Sequence, residues 1–154
     1  MIVTLAQIAV FFGFIAYIVK RFGVITSISD SVYFFETNER VYFTIALWTI
    51  ALLNYFQPMD MYGAVASGML FFTGVTINFK SNAAHGNIVH YLSAGTALLI
   101  SVLGLMIMHG LWYLPIPIIL LCGLAYYLGG FKYFVWWLEI IVFVHIMIGY
   151  LIIA

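Results

Sequence analysis

The chain has 154 residues, of which 66% are hydrophobic and only 6% charged, too little polar side chain to cover a water-facing surface. Five Lys+Arg balance five Asp+Glu, so there is no basic patch for a nucleic acid to bind. The one cysteine, Cys122, excludes an intrachain disulfide and a multi-thiolate zinc site. What remains is an all-α integral membrane protein.

A bilayer-crossing helix needs about 20 mainly apolar residues, with a range of about 17–25. Six segments answer to that description, in one domain spanning 1–154. The first, 2–19, is closed by Lys20 and Arg21. Its basic residues follow the apolar run, no small-residue cleavage site is present, and the run is too long for a cleaved signal. It reads as an anchor that sends the N-terminus outward. The second, 41–56, opens after Arg40 and stops at Gln57-Pro58, and the third, 62–79, lies between Asp60 and Lys80. The fourth, 85–108, ends at His109-Gly110, and the fifth, 112–128, ends at Gly129-Gly130. Pro115 and Pro117 sit in the first turns of the fifth, where a missing N–H costs least. The sixth, 133–153, is entered from Lys132.

Threading these segments alternately through a bilayer brings Lys20, Arg21, Arg40, Lys80 and Lys132 to one side. The positive-inside rule makes that side cytoplasmic and puts both termini outside, in what reads as the inner membrane of a bacterium. The outer connections are short. The one sizeable loop, 21–40, is cytoplasmic.

Lipid tails are as apolar as leucine, so helices associate through small and polar residues. Stripes at helical spacing predict the contact faces: Ala6, Ala9, Gly13 and Ala16 on the first helix, and Thr44, Leu47, Ala51 and Asn54 on the second. Gly63, Ser67, Leu70, Gly74 and Asn78 line the third, and His90, Ala94, Ala97, Ser101 and Gly104 the fourth. Trp112, Tyr113, Tyr133, Trp136 and Trp137 mark helix ends, where aromatic belts form.

Ionisable side chains at membrane depth are functional candidates by default. At about 1.5 Å per residue, His90 lies roughly 8 Å and Glu139 roughly 10 Å from the cytoplasmic edge, which predicts a buried pair. Asn54 and His145 share a level roughly 20 Å from that edge and predict a second pair across helices two and six. The stripe of helix four points His90 into the bundle. His85 lies about 140° around the same helix and is no same-face partner for it, while His109 belongs to the opposite rim. Haem is disfavoured because His90 and His145 differ in level by roughly 12 Å. Metal candidates collect on the cytoplasmic side as Asp30, His85 and His90, and candidates for catalysis as Ser27, Asp30, His90 and Glu139. No Gly-x-Ser-x-Gly elbow accompanies them. Ser29 and Asp30 read equally well as turn or capping residues ahead of Val32. The residues by themselves imply no cofactor.

The run Thr26-Ser27-Ile28-Ser29-Asp30-Ser31 after the first helix, and the run from His85 through His90 to Gly95 opening the fourth, resemble the six-helix Frag/DRAM-like membrane proteins. That likeness implies an architecture more than a reaction. More distantly, the pattern is similar to the membrane hydrolases related to alkaline ceramidases, which use a serine, an aspartate and three histidines around zinc near the cytosolic side. A loop serine (Ser27 or Ser29), Asp30 and His90 match that set. The paired histidines of that family's last helix and its seventh helix have no match here.

Three readings follow. The chain acts by packing against lipid, a second copy or a membrane-protein partner; or it is a metal-dependent lipid hydrolase or transferase at the cytoplasmic leaflet, with zinc the implied ion; or it conducts protons or a solute through His90 and Glu139.

Overall fold

The computed structural model describes the backbone of residues 1–36, 38–57, 61–76 and 83–154, and all side chains of these except those of 76 and 83–88. Regular structure among the described residues is helical. The helices are α1 (Ile2–Phe22), α2 (Ser31–Phe34), α3 (Arg40–Tyr55), α4 (Met61–Thr76), α5 (Ala83–His109), α6 (Pro115–Gly129) and α7 (Phe134–Ile153). A 3₁₀ turn, Phe131–Tyr133, leads into α7. Three segments, Ile2–Phe22, Val89–His109 and Phe131–Ile153, are long and apolar enough to cross a membrane, and Met61–Val75 and Pro115–Gly129 are shorter apolar helices. Each of the six long helices overlaps one of the six predicted segments, and residues 77–79 of the third lie outside the described residues.

Local chemistry sets several of those ends. Gly23 and Gly130 take left-handed φ values of 75° and 65°, and their N–H groups close the last turns of α1 and α6 on Val19 O and Tyr126 O, both at 2.9 Å. Pro115 opens α6 at a position whose N–H has no intrahelical acceptor.

Helices α1, α3, α4, α5 and α7 close a ring in which each touches the next, α7 returning to α1. α6 stands outside and leans mainly on α7, with Cys122 its one buried residue. The predicted stripes of α3, α4 and α5 fall within their buried faces: Leu47, Ala51 and Asn54; Gly63, Ser67, Leu70 and Gly74; and His90, Ala97, Ser101 and Gly104 are buried, Thr44 and Ala94 are half-buried, and Asn78 lies outside the described residues. Two glycines on these faces are sites of close approach. A Cβ on Gly74 would stand 2.8 Å from the Trp48 indole nitrogen, and one on Gly149 of α7 would stand 2.6 Å from Leu105 of α5.

The stripe predicted for α1 is wrong. Ala9, Gly13 and Ala16 are exposed, and Thr4, Gln7, Phe11 and Ile18 are buried instead. Polarity and shape outweigh small size here. Thr4 and Gln7 need interior hydrogen-bond partners, and Phe11 packs its ring on Phe143 of α7 at 4.8 Å. Trp136 is also misplaced by the aromatic-belt reading: it is 1% exposed and belongs to the main core, whereas Trp112, Tyr113 and Trp137 are exposed.

The segment between α1 and α3 is not a loop lying over the surface. Residues 23–35 turn back into one mouth of the ring, and Ile25, Ile28, Val32 and Phe35 are buried in the same core as Phe11, Phe43 and Trp136. The spacing of those four apolar positions gives the segment one buried edge.

Candidate functional site

The segment that fills the mouth of the ring is fastened to α7 by three hydrogen bonds. The Trp136 N–H donates to Thr26 O at 3.1 Å. One turn further along α7, the Glu139 carboxylate accepts the Ile28 N–H at 2.5 Å and the Ser29 hydroxyl at 2.6 Å. A carboxylate inside an apolar bundle is costly unless its oxygens are satisfied, and here each oxygen has a donor.

A second fastening runs to α5. Asp30 accepts the Thr26 hydroxyl at 2.8 Å on one oxygen and the Tyr91 hydroxyl at 2.9 Å on the other. The Asp30 N–H donates to Ser27 Oγ at 2.9 Å, which makes Ser27 a buried turn residue. Asp30 stands at the N-cap of α2 without a side-chain cap bond, because its carboxylate faces Thr26 and Tyr91. At the rim, Arg21 and Glu39 approach to 3.5 Å, an exposed pair that contributes little.

His90 lies inside the ring as its stripe predicts, with its ring 6.1 Å from that of Phe43 and 5.8 Å from that of Tyr91. The predicted His90–Glu139 pair is replaced. The segment inserts beside α7, and its Ser29 and Ile28 take the carboxylate. The predicted Asn54–His145 bond is replaced too. α3 and α7 are not neighbours in the ring, so Asn54 donates instead to Gly63 O at 3.3 Å and Ser67 Oγ at 2.9 Å on α4. His145 turns its Nδ1 to Ile141 O of its own helix at 2.7 Å.

At the far end of the ring is a polar knot that sequence reading missed. Gln57 donates to Gln7 Oε1 at 2.7 Å and to Thr4 Oγ1 at 2.9 Å, and Gln7 donates to Ile50 O at 3.3 Å. The available signal was the coincidence of Thr4 and Gln7 on one face of the first helix with Gln57 at the end of the second.

Of the metal candidates, Asp30 and His90 lie on neighbouring elements, while the side chain of His85 falls outside the described residues. Lys80 and Asn78 fall outside them as well. Among the described residues, no three His, Cys, Asp or Glu side chains are grouped to hold a metal ion. Chemically, the arrangement is a buried acceptor, Glu139, bonded to a hydroxyl and an amide, next to a second carboxylate bonded to a phenol. It fixes the segment in place and leaves one carboxylate inside the ring. No family model matches this chain, and no curated protein or solved structure matches it.

Proposed function

We propose that the chain is a small multi-pass membrane protein that crosses the bilayer six times and acts by packing, with lipid and another membrane subunit as its partners. In this reading both termini are outside, and Lys20, Arg21, Arg40, Lys80 and Lys132 face the cytoplasm of a bacterium. The observation that carries it is the direction of the interior hydrogen bonds. Glu139, Asp30, Asn54 and Gln57 all bond within the bundle, while its outer faces carry Ile119, Leu120, Leu92 and Leu99 exposed. A surface of that kind suits acyl chains and neighbouring helices. α6, whose one buried residue is Cys122, leaves most of its surface uncovered.

The test is native mass spectrometry of protein extracted with its surrounding lipid. Species heavier than the 17.4 kDa monomer, carrying lipid or further subunits through mild activation, support the reading. A bare monomer under the same conditions contradicts it.

A further inference from the structure

Two small cavities lie end to end inside the five-helix ring. The one nearer the inserted segment, about 30 Å³, has Ser29, Thr73 and Glu139 in its wall. The one toward the far end, about 20 Å³, has Gln7, Asn54, Ser101 and Tyr150 in its wall. Leu70, Leu98 and Phe143 border both, so these three side chains form the partition between them. A single water needs roughly 10–15 Å³ of such space and two to four polar partners. Both chambers meet that requirement, whereas an apolar void of the same size stays dry.

The polar groups continue beyond the chambers in both directions. Toward the mouth, Glu139 is bonded to Ser29, and the next residue of the inserted segment, Asp30, is bonded to Tyr91. At the other end, Gln7 leads to Gln57 and Thr4. We propose that this axis is a proton path, closed at its centre by the Leu70–Leu98–Phe143 partition. A proton entering at the mouth adds to a Glu139 oxygen, passes from it to water in the first chamber, and crosses when water spans the partition. It passes to water in the second chamber and is released to bulk water at the far mouth, past Gln57, Gln7 and Thr4, which hydrogen-bond the carrying water and are not themselves protonated. No bond other than O–H is made or broken, and each carrier is restored when the proton moves on. Hydrophobic partitions of this type close a path by excluding water. Chambers with room for one or two waters have none for a hydrated metal ion, and among the described residues no ring of carbonyls or charges lines them to replace a hydration shell.

The charged and titratable groups at the Glu139 end come from several elements. Asp30 belongs to the inserted segment, Glu36 and Glu39 lie between it and α3, and Arg40 opens α3; His90 and Tyr91 belong to α5, and Lys20 and Arg21 to α1; Lys132 and Tyr133 precede α7, and Tyr126 comes from α6. Asp30, next in the chain to the Ser29 that bonds Glu139, is the first relay.

The proposal rests on the reading that the ring spans the bilayer, which side-specific labelling tests independently. Its own test uses purified protein in phosphatidylcholine–phosphatidylglycerol liposomes containing a pH-sensitive dye. A pH gradient is imposed, and valinomycin with potassium balances charge. The wild type should dissipate the gradient faster than protein-free liposomes, and Leu98→Ala, which thins the partition, should do so faster still. Glu139→Gln should lose the excess rate. Ala94→Leu, which fills the first chamber and keeps the carboxylate, should lose it as well, and it tests the same path if Glu139→Gln does not assemble. Rates equal to protein-free liposomes for both wild type and Leu98→Ala, at equal incorporation, overturn the proposal. So does undiminished flux in Ala94→Leu, or a matching release of sodium.

Discussion

The Glu139 carboxylate receives the Ser29 hydroxyl at 2.6 Å across 110 residues of chain. That bond, with the Ile28 N–H at 2.5 Å, ties the segment after the first helix to the last helix. Together they convert a connection between helices into part of the core.

Removing the carboxylate leaves two buried donors without an acceptor. Each unsatisfied buried group costs about 1–3 kcal/mol. Glu139→Ala should therefore lower the thermal unfolding temperature in detergent well below that of Ser29→Ala, which removes one donor and leaves the other bond in place. Equal losses for the two variants would show that the segment is held by its apolar edge alone.

Gln57 is the hub of the far knot, joining the end of α3 to Thr4 and Gln7 of α1. Interhelical hydrogen bonds in membranes average about 0.6 kcal/mol and reach about 1.7. Gln57→Leu should thus destabilise by about 1 kcal/mol in a reversible unfolding assay, and adding Gln7→Leu to it should cost little more. Fully additive losses would mean that the two glutamines act separately.

A Cβ on Gly149 would meet Leu105 at 2.6 Å. Overpacking of this sort costs about 1–3 kcal/mol. Gly149→Ala should be destabilising alone and should become tolerable in a Leu105→Ala background, which a double-mutant cycle measures. If the two losses simply add, α5 and α7 do not approach closely at this point.

Trp136 and Trp137 are adjacent in sequence and opposite in setting, 1% and 41% exposed. In variants retaining one tryptophan each, brominated lipids should quench Trp137 fluorescence strongly and Trp136 weakly. Similar quenching of both would place Trp136 against lipid.

Much of the helical plan could be read from the sequence because a bilayer-length apolar run depends on composition, and because the Gly63–Gly74 and His90–Gly104 stripes follow helical spacing. The α1 face could not be read that way. Its contact residues, Thr4, Gln7 and Phe11, are chosen by partners on α3, on α7 and beyond the end of α3, and helical spacing alone does not identify a partner. The candidate site was legible in its parts. Glu139, Ser29, Asp30 and His90 stand out as polar letters near one edge, but their pairing depended on residues 23–35 entering the ring. The hint was the recurrence of Ile25, Ile28, Val32 and Phe35, a pattern hidden by the Ser and Asp residues between them. Depth alone misassigned the partners of Glu139 and Asn54, because equal depth does not make two helices adjacent.

The most direct measurement is side-specific labelling with a membrane-impermeant thiol reagent, in a background where Cys122 is replaced by alanine. Single cysteines at exposed ends of the ring serve as reporters: Arg21→Cys and Lys132→Cys at the end that holds residues 23–35, and Phe56→Cys and Trp112→Cys at the other. If the ring spans the bilayer as proposed, the first two label only from the cytoplasmic face and the last two only from the outside. Labelling of residues 21 and 132 from opposite faces would contradict it.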